Sequence, residues 1–451
     1  MRLNALSPLD GRYADQVAPL ARHFSELALI RGRVEVEVAY LRALAAELGR
    51  PIEIPPIDFT EADGEAVKAF ERTTRHDVKA VEYWLKEKLP LGADLELIHL
   101  GLTSEDVNNL AYAGMHRAAL REVLLPALSR LLGTLAELAR RYHQVPMLGR
   151  THGQPASPTT MGKELGVFAA RLAREVTELV RHELPGKLGG ATGTLAALQT
   201  AFPDHDWRAF SRGFVQALGC KPSPVTTQIE PGDGYAAVYD CLRRINNILL
   251  DLSLDMWRYI SDGYFRQAVV AGEVGSSAMP HKVNPIDFEN AEGNLGLANA
   301  LLVHLGGKLT VSRLQRDLSG STVMRNSGVA LAHGFLAWLS VERGLARVVL
   351  DEGRLAEDLS NHPEVLAEAI QTVLRADRGD VPYEKLKELT QGRKVTLDEL
   401  RLRAMELAFH RADIWNELSP ASYVGLAPEL AIEAAQLAEA AMQEIASCLK
   451  S

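Results

Sequence analysis

Apolar residues recur every three or four positions over long windows of this chain, and this helical period constrains the fold more than any other feature. The clearest window begins near Ala111 and reaches His143. One stripe of this window consists of Leu120, Leu124, Leu128, Leu131, Leu135 and Leu138. Pro126 lies within the stripe, and we expect it to bend the helix without ending it. The pattern therefore predicts a mainly helical protein.

Four further windows of similar length carry the same period. They cover residues 160–184, 234–263, 288–309 and 329–350. Five helices of this length predict a bundle in which the helices share their apolar faces. Glycines and prolines cluster at residues 185–203 and 222–234, so these segments are predicted to be irregular connections that serve a site.

The remainder of the chain predicts two more helical domains around this bundle. Residues 1–100 are more charged and are interrupted by PIEIPP at positions 51–56, which indicates a separate N-terminal helical domain. Residues 101–350 form the predicted central domain. Residues 351–451 form a predicted C-terminal helical domain, with helices near 396–411 and 428–449. Because the bundle helices have wider apolar faces than one chain can enclose, we expect oligomers.

Composition excludes several classes of protein. The 451 residues are 47% hydrophobic and carry a net charge of -9 without runs of like charge, which argues against a nucleic-acid groove or an anionic membrane surface. The start of the chain lacks an apolar signal core, and no run approaches the roughly eighteen apolar residues of a membrane span, so a cytoplasmic location is expected. Cys220, Cys241 and Cys448 are far apart, and we expect free thiols and no structural metal.

Residues 275–285 read GSSAMPHKVNP, which is typical of a functional loop rather than of a segment that packs in the core. The glycine frees the backbone, and the two prolines fix local angles. The hinged segment thus presents four polar side chains, which are Ser276, Ser277, Lys282 and Asn284. The alternative for any Gly/Ser/Pro stretch is an ordinary polar connection between two helices.

This segment resembles the signature of the fumarase/aspartase superfamily. Two other superfamily segments occur in the expected order, TSEDVNN at residues 103–109 and RTHGQPA at residues 150–156. SPLDGRY at 7–13, RHD at 75–77 and STVMRN at 321–326 resemble the adenylosuccinate lyase family within it. The resemblance covers nearly the whole chain. It implies an all-α fold whose central long-helix bundles form a homotetramer with a core of about twenty helices, and active sites built from three chains.

The same resemblance implies a carbon–nitrogen lyase of purine nucleotide biosynthesis. It would release fumarate from adenylosuccinate to give AMP, and from the succinylated aminoimidazole carboxamide ribotide, SAICAR, to give AICAR. Such a β-elimination needs a base for a carbon-bound proton, stabilisation of the carbanion, and an acid for the departing nitrogen. The family motifs assign Ser276 as the base and His152 as the acid. Taken alone, a serine is more often a turn residue and a histidine a core or surface residue. No cofactor is expected.

The resemblance also assigns the substrate contacts. Lys282 and Asn284 would grip the substrate carboxylate, and Thr103 and Ser104 would receive the succinyl carboxylate, although a helix cap also explains the last two. The nucleotide phosphate would be bound by scattered groups, because the chain has no Walker loop. The predicted nucleotide-binding residues are Arg12, Tyr13, Arg316, Ser321 and Arg325. The remaining predicted substrate contacts are Arg75, His76, Asp77, Gln228, Ser277, Asn290 and Thr322.

Two rival functions stay open at this point. Another lyase of the superfamily, such as an argininosuccinate lyase, would not need the phosphate-type residues Arg12, Tyr13, Arg316 and Arg325. A structural protein that reuses the fold would have lost motif residues within 275–285, and this sequence retains them.

Overall fold

The computed structural model describes residues 4–268, 279, 282–378, 395–407 and 411–450. Helices dominate this part of the chain. The helices of the first half are α1 Ala14–Phe24, α2 Glu26–Glu47, α3 Glu61–Thr74, α4 Asp77–Lys88, α5 Ser104–Ala119, α6 Leu125–Arg141, α7 Met161–Arg181, α8 Ala196–Ala201 and α9 Trp207–Ala217. The later helices are α10 Asp233–Ser261, α11 Ile286–Leu309, α12 Ser319–Met324, α13 Ser327–Ala346, α14 Glu352–Ser360, α15 Ala367–Arg378, α16 Leu397–Leu407, α17 Ala412–Glu417 and α18 Ala427–Lys450. Short 3₁₀ turns cover Gly92–Leu97 and Pro363–Leu366.

The described strands are short and form two-stranded pairs. They are β1 Pro146–Thr151, β2 Gln154–Thr160, β3 Pro185–Gly186, β4 Lys221–Pro222, β5 Phe265–Gln267 and β6 Val348–Leu350. β1 and β2 form an antiparallel hairpin, β3 and β4 pair in parallel, and β5 and β6 pair antiparallel. The all-α fold class is confirmed, because these pairs are small additions to a helical architecture.

The long helices follow the predicted windows closely. α5 runs through a π-helical turn at Leu120–Leu124 directly into α6, so the helical backbone continues past Pro126 as predicted. α7, α10 and α11 also occupy their predicted windows. The window at 329–350 is wrong at its end, because α13 stops at Ala346 and the next residues form β6. Val348 and Val349 are β-branched and pair with β5, which favours the extended backbone there.

The core lies between α10, α11 and α13, and between α6, α7 and α18. α18 presents buried alanines to its neighbours, and a Cβ placed on Gly166 of α7 would lie 3.0 Å from the Cβ of Ala434. Small side chains therefore let these two helices approach closely. The predicted boundary at residue 350 stays a prediction, but α18, which it places in the C-terminal domain, packs within the central bundle.

The segment between β6 and α18 has a small core of its own. Ile370 of α15, Leu400 and Ala404 of α16, and Trp415 of α17 are buried together. A further cluster joins Leu148 of β1 to Leu359 of α14 and Val365. No helix in the described ranges is long and apolar enough to cross a membrane.

Candidate active site

A cleft of about 460 Å³ opens beside the start of α5. Its walls come from the junction of α3 and α4, the first turns of α5, the segment before α10, and α12 with its flanking residues. Eight predicted site residues line it. They are Arg75, His76, Asp77, Ser104, Arg316, Ser321, Thr322 and Arg325. Side chains that are far apart in sequence are thus gathered around one cavity.

The RHD segment reaches the cleft because it joins two helices. Arg75 ends α3 in the left-handed conformation, with φ 51°, and its N–H donates to the carbonyl of Glu71 at 2.7 Å. His76 caps α4, because its Nδ1 accepts a hydrogen bond from the Lys79 N–H at 3.2 Å. The tight turn places both side chains on the cleft wall.

Asp77 binds two arginines. Its Oδ2 accepts from Arg33 Nη2 and from Arg325 Nη2, each at 2.7 Å, and Arg33 also donates from Nε to Asn108 Oδ1 at 2.9 Å. Burial raises the pKa of Asp77, but the Arg33 and Arg325 guanidiniums outweigh burial and hold that pKa down at about 2. Asp77 is therefore an anion that holds arginines in place.

Arg316 is held in a similar way on the other side. Its Nη2 lies 2.9 Å from Glu105 Oε1 and 3.3 Å from Ser321 Oγ. Its Nη1 donates to Gln228 Oε1 at 3.3 Å, and Gln228 in turn donates to the carbonyl of Ala191 at 2.9 Å. Gln228 thus joins the cleft through Arg316.

The start of α5 is fixed by a buried ion pair. Asp106 Oδ2 accepts from the Thr103 N–H at 2.9 Å, and Asp106 Oδ1 lies 2.8 Å from Lys187 Nζ. Asp106 also accepts from the N–H groups of Gly189 and Gly190 at 2.8 and 3.0 Å. Both charged side chains are almost fully buried and satisfied. The network joins the Thr103–Ser104 end of the helix to the glycine-rich connection that follows β3.

A second set of predicted residues lies around the start of α11. Asn290 Nδ2 donates to the Tyr13 hydroxyl at 3.3 Å, and the Arg12 guanidinium lies 5.8 Å from the Tyr13 ring centre. Lys282 is exposed, and with Asn284 it lies in the segment just before the helix. Among the described residues that line the cleft, none belongs to this set.

His152 forms a third set by itself. It occupies the two-residue turn of the β1–β2 hairpin with Gly153, and the two residues have φ values of 53° and 74°. Positive φ at both positions is the geometry of a type I′ turn. The side chain is exposed, and no described lining residue of the cleft comes from this hairpin. Ser276 and Ser277 lie outside the described residues.

Sequence reasoning missed several residues of the cleft. Arg33 is buried in α2 and gives no signal, because a single arginine in an apolar helix resembles a surface residue. Glu105 and Asn108 lie inside the TSEDVNN segment, where only the first two hydroxyl residues were selected. Glu230 lines the cleft, and burial raises its pKa to about 7 despite a hydrogen bond from the Gly232 N–H. Within the described ranges, no group of three or more His, Cys, Asp or Glu is placed to hold a metal ion.

Two family models match the chain. One described as Lyase covers residues 12–299, and one described as Adenylosuccinate lyase C-terminal covers residues 312–424. An adenylosuccinate lyase of Haemophilus influenzae is 47% identical over 447 residues, which is 95% of this chain and 98% of the relative. The chain belongs to the adenylosuccinate lyase family. The family assignment made from the sequence motifs is therefore confirmed.

Other similarities agree with this family. The adenylosuccinate lyase of Escherichia coli strain K12 is 46% identical over 444 residues, which is 94% of this chain and 97% of the relative. A fumarate lyase from Mesorhizobium sp. BNC1 superposes with a TM-score of 0.75 at 20% identity, over 94% of this chain and 97% of that one. A 3-carboxy-cis,cis-muconate lactonizing enzyme from Pseudomonas putida gives 0.74 at 21%, over the same shares. At these identities the two structures support the fold alone.

Proposed function

We propose that this protein eliminates fumarate from adenylosuccinate to leave AMP, and from SAICAR to leave AICAR. It would thus act in purine nucleotide biosynthesis on small phosphorylated substrates. Relatives named adenylosuccinate lyase with 46–47% identity over nearly the whole length support this activity. The structural observation that carries the proposal is the pair Arg316 and Arg325 beside Ser321 in one cleft.

The two arginines Arg316 and Arg325 suit a nucleotide phosphate. A guanidinium has five N–H donors, so Arg316 and Arg325 can bind phosphate oxygens while they keep their contacts to Glu105 and Asp77. Ser321 adds a hydroxyl donor next to Arg316. The carboxylates hold the guanidiniums in position before substrate arrives, which lowers the entropy lost on binding.

The start of α5 suits a carboxylate of the succinyl group. Thr103 and Ser104 lie at a helix N-terminus, where the helix dipole and the two hydroxyls favour an anion, while the Thr103 N–H donates to Asp106. Arg75 and His76 line the same cleft from the α3–α4 junction. The proposed substrate would span from this end to the arginines.

The elimination requires two proton transfers. The base, proposed as Ser276, takes the proton from the carbon next to a carboxylate, and the electron pair forms the new carbon–carbon double bond as the carbon–nitrogen bond breaks. Lys282 and Asn284 would hold the carboxylate over which the carbanion charge spreads. His152 would give its proton to the departing nitrogen, so that the nitrogen leaves as an amine and the succinyl group leaves as the fumarate dianion.

We propose a homotetramer in which each site uses three chains. The predicted residues that the structure describes fall into three separate sets in one chain, which are the cleft, the start of α11, and the tip of the β1–β2 hairpin. Residues that act on one substrate must meet, and neighbouring copies would bring them together. Apolar side chains left exposed on α10 and α11 support association. They include Leu254, Trp257, Leu297 and Val303.

The proposed location is the cytoplasm. The buried thiols of Cys220 and Cys241 are unpaired, which agrees with a reducing compartment.

The first test is fumarate release by the purified protein, followed optically. We expect turnover of adenylosuccinate and not of argininosuccinate or malate. Turnover of argininosuccinate instead would overturn the phosphate assignment of Arg316 and Arg325. The Ser276→Ala variant should lose activity far beyond tenfold, and a loss of less than tenfold would overturn Ser276 as the base.

The second test addresses the shared sites. His152→Ala and Ser276→Ala variants, each inactive alone, are coexpressed with different tags, and hybrid oligomers are purified. If the acid and the base come from different chains, some sites of a hybrid contain both intact residues, and activity returns. Hybrids that stay inactive would show that one chain supplies both residues.

A further inference from the structure

The base of the β1–β2 hairpin is packed against the segment that follows β6. Leu148 of β1 is buried with Leu359 of α14 and Val365. Alternate residues of a strand share a face, so Arg150 points to the same side as Leu148. The other face, with Met147, belongs to the main core. The hairpin is therefore held from both sides at its base while its tip is exposed.

A carboxylate on α14 receives that arginine. Asp358 Oδ2 accepts from Arg150 Nη2 at 2.7 Å and from the hydroxyl of Tyr264, and His362 Nε2 lies 3.8 Å from Asp358 Oδ1. Asp358 is 7% exposed. Burial raises its pKa, but the hydrogen bonds from Tyr264 and Arg150 outweigh burial and hold that pKa below its ordinary value. The carboxylate is thus a charged, nearly enclosed acceptor with donors on two sides.

The other strand has a separate brace. Ser157 of β2 donates to Glu368 Oε2, which also accepts from the Tyr423 hydroxyl at 3.2 Å. Ser157 and Glu368 are exposed, whereas Asp358 is buried. Hydrogen bonds between exposed groups compete with water, so the Arg150–Asp358 contact is the stronger of the two.

We propose that Asp358 is a positioning residue, which fixes through Arg150 the direction of the hairpin that carries His152. The inference rests on the proposed function, because it takes His152 as the general acid. Only Thr151 separates Arg150 from the turn, which has a defined backbone with positive φ at His152 and Gly153. A displacement of the strand at Arg150 therefore also displaces His152, because the short segment between them cannot absorb it. Proton transfer needs the donor within hydrogen-bond reach of the acceptor.

The variant Asp358→Asn tests the proposal. It keeps the size of the side chain but removes the charge that orients Arg150 and Tyr264. We expect kcat for adenylosuccinate to fall roughly 10- to 100-fold, because misplacement by about 1 Å can cost 10²-fold in rate. KM should stay within about threefold, because Asp358 is not among the described residues that line the cleft. An unchanged kcat, or a rise in KM that accounts for the loss, would overturn the proposal.

The matched control is Glu357→Gln on the same helix. Glu357 is largely exposed and pairs with Arg354 at 2.9 Å. We expect its kcat and KM to equal those of the parent. A loss as large as that of Asp358→Asn would mean that any change in α14 disturbs activity, which contradicts a specific role for Asp358.

Arg150→Gln removes the same Arg150–Asp358 contact from the hairpin side. The Arg150 side chain is 30% exposed, so this variant should fold even if Asp358→Asn does not. We expect the same fall in kcat at constant KM. The double variant should be no slower than the slower single variant, because both remove one interaction. Additive losses would overturn the proposed route through Arg150.

Hybrid oligomers separate positioning from general damage. Asp358→Asn should regain activity when coexpressed with Ser276→Ala, but not with His152→Ala, because it disables the acid of its own chain. Recovery with His152→Ala would overturn the proposal. If His152→Ala and Ser276→Ala themselves fail to complement each other, the shared-site proposal fails. The positioning role of Asp358 is then tested by whether kcat falls at constant KM in the Asp358→Asn variant.

Discussion

A single carboxylate, Asp77, keeps two cationic groups of the cleft in place. Arg33 is almost fully buried and donates to Asp77 and Asn108, whereas Arg325 is partly exposed on the cleft side. A buried guanidinium without an acceptor is costly, so Arg33 fixes Asp77, and Asp77 fixes Arg325. The predicted phosphate-binding arginine is thus oriented by a residue that the substrate need not touch.

Asp77→Asn should therefore weaken both stability and substrate binding. We expect the free energy of unfolding at pH 7 to fall by about 1.5–3 kcal/mol, the usual value for a hydrogen bond to a charged group. Because the folded pKa of about 2 lies below the ordinary 3.8, this contribution is present above about pH 4 and is lost as pH falls toward 2. Urea denaturation at several pH values between pH 7 and pH 2 measures it. Glu96→Gln, at an exposed ion pair, is the control, and an equal loss there would contradict the explanation.

His99 contributes to the free energy of unfolding with a pH dependence opposite to that of Asp77. Its Nδ1 lies 2.5 Å from Glu37 Oε1, and Glu37 is fully buried with no hydrogen-bond partner for Oε2 among the described residues. Burial lowers the pKa of His99, but the hydrogen bond and charge of Glu37 outweigh burial and raise it above 6.5. The contribution is then complete below about pH 6.5 and is lost as pH rises through the folded pKa.

We expect His99→Asn to destabilise the fold more at pH 6 than at pH 9. Asparagine tolerates the left-handed backbone of this position, with φ 60°, so the comparison isolates the ion pair. Thermal unfolding at several pH values measures the difference between parent and variant. A difference that grows with pH would contradict the raised pKa.

The shape of the β1–β2 hairpin depends on how closely its two strands approach each other. Gly149 faces β2 so closely that a Cβ on it would lie 2.4 Å from the carbonyl oxygen of Ser157. Next to it, the pairing register shifts between Met147 and Gly149, so β2 carries one extra residue. Bulges re-aim side chains, and this one lies between the buried base and the exposed tip.

Gly149→Ala should push the strands apart and misplace His152. We expect the fold to lose about 1–3 kcal/mol, as for other overpacked sites, and kcat to fall at nearly constant KM. Gly114→Ala in α5 is the control, since a Cβ there meets nothing within 4 Å and alanine favours the helix. Denaturant titration and steady-state kinetics measure both variants. A Gly149→Ala enzyme that matches the parent would contradict the close-approach argument.

Sequence patterns predicted the helices well and this hairpin not at all. Long apolar stripes report a periodic backbone, so α7, α10 and α11 lie in their predicted windows. β1 and β2 contain proline and glycine and lack alternation, so the RTHGQPA segment carries no strand signal. The turn depends on the backbone angles of His152 and Gly153, which composition does not specify. Similarly, the pairing of Asp77 with Arg33 requires contacts across 44 positions.

In the proposed tetramer, association of the chains would depend on the outer faces of α10 and α11. Leu297 and Val303 are more than half exposed in one chain. Apolar side chains exposed on neighbouring helices are typical of a surface that other protein chains cover. In the proposed tetramer these faces would be covered by other copies.

Leu297→Glu should therefore break the oligomer. We expect the mass measured by light scattering to drop from four times 49.3 kDa, and activity to fall with it, because each site would lack residues of other chains. Leu402→Glu is the control, since Leu402 is 59% exposed on α16 and lies outside the bundle. A mass unaffected by Leu297→Glu, or lowered equally by Leu402→Glu, would contradict this interface.

The packing of α18 on α6 and α7 also has a consequence for biosynthesis. About 245 residues separate the end of α7 at Arg181 from the start of α18 at Ala427. At roughly 5–20 residues per second, a ribosome needs on the order of 10–50 s to make that stretch. During this interval the groove between α6 and α7 that α18 fills stays empty, while α10 and α13 cover other parts of these helices. The nascent chain thus carries an open groove that chaperones can bind, and the bundle closes only late in synthesis.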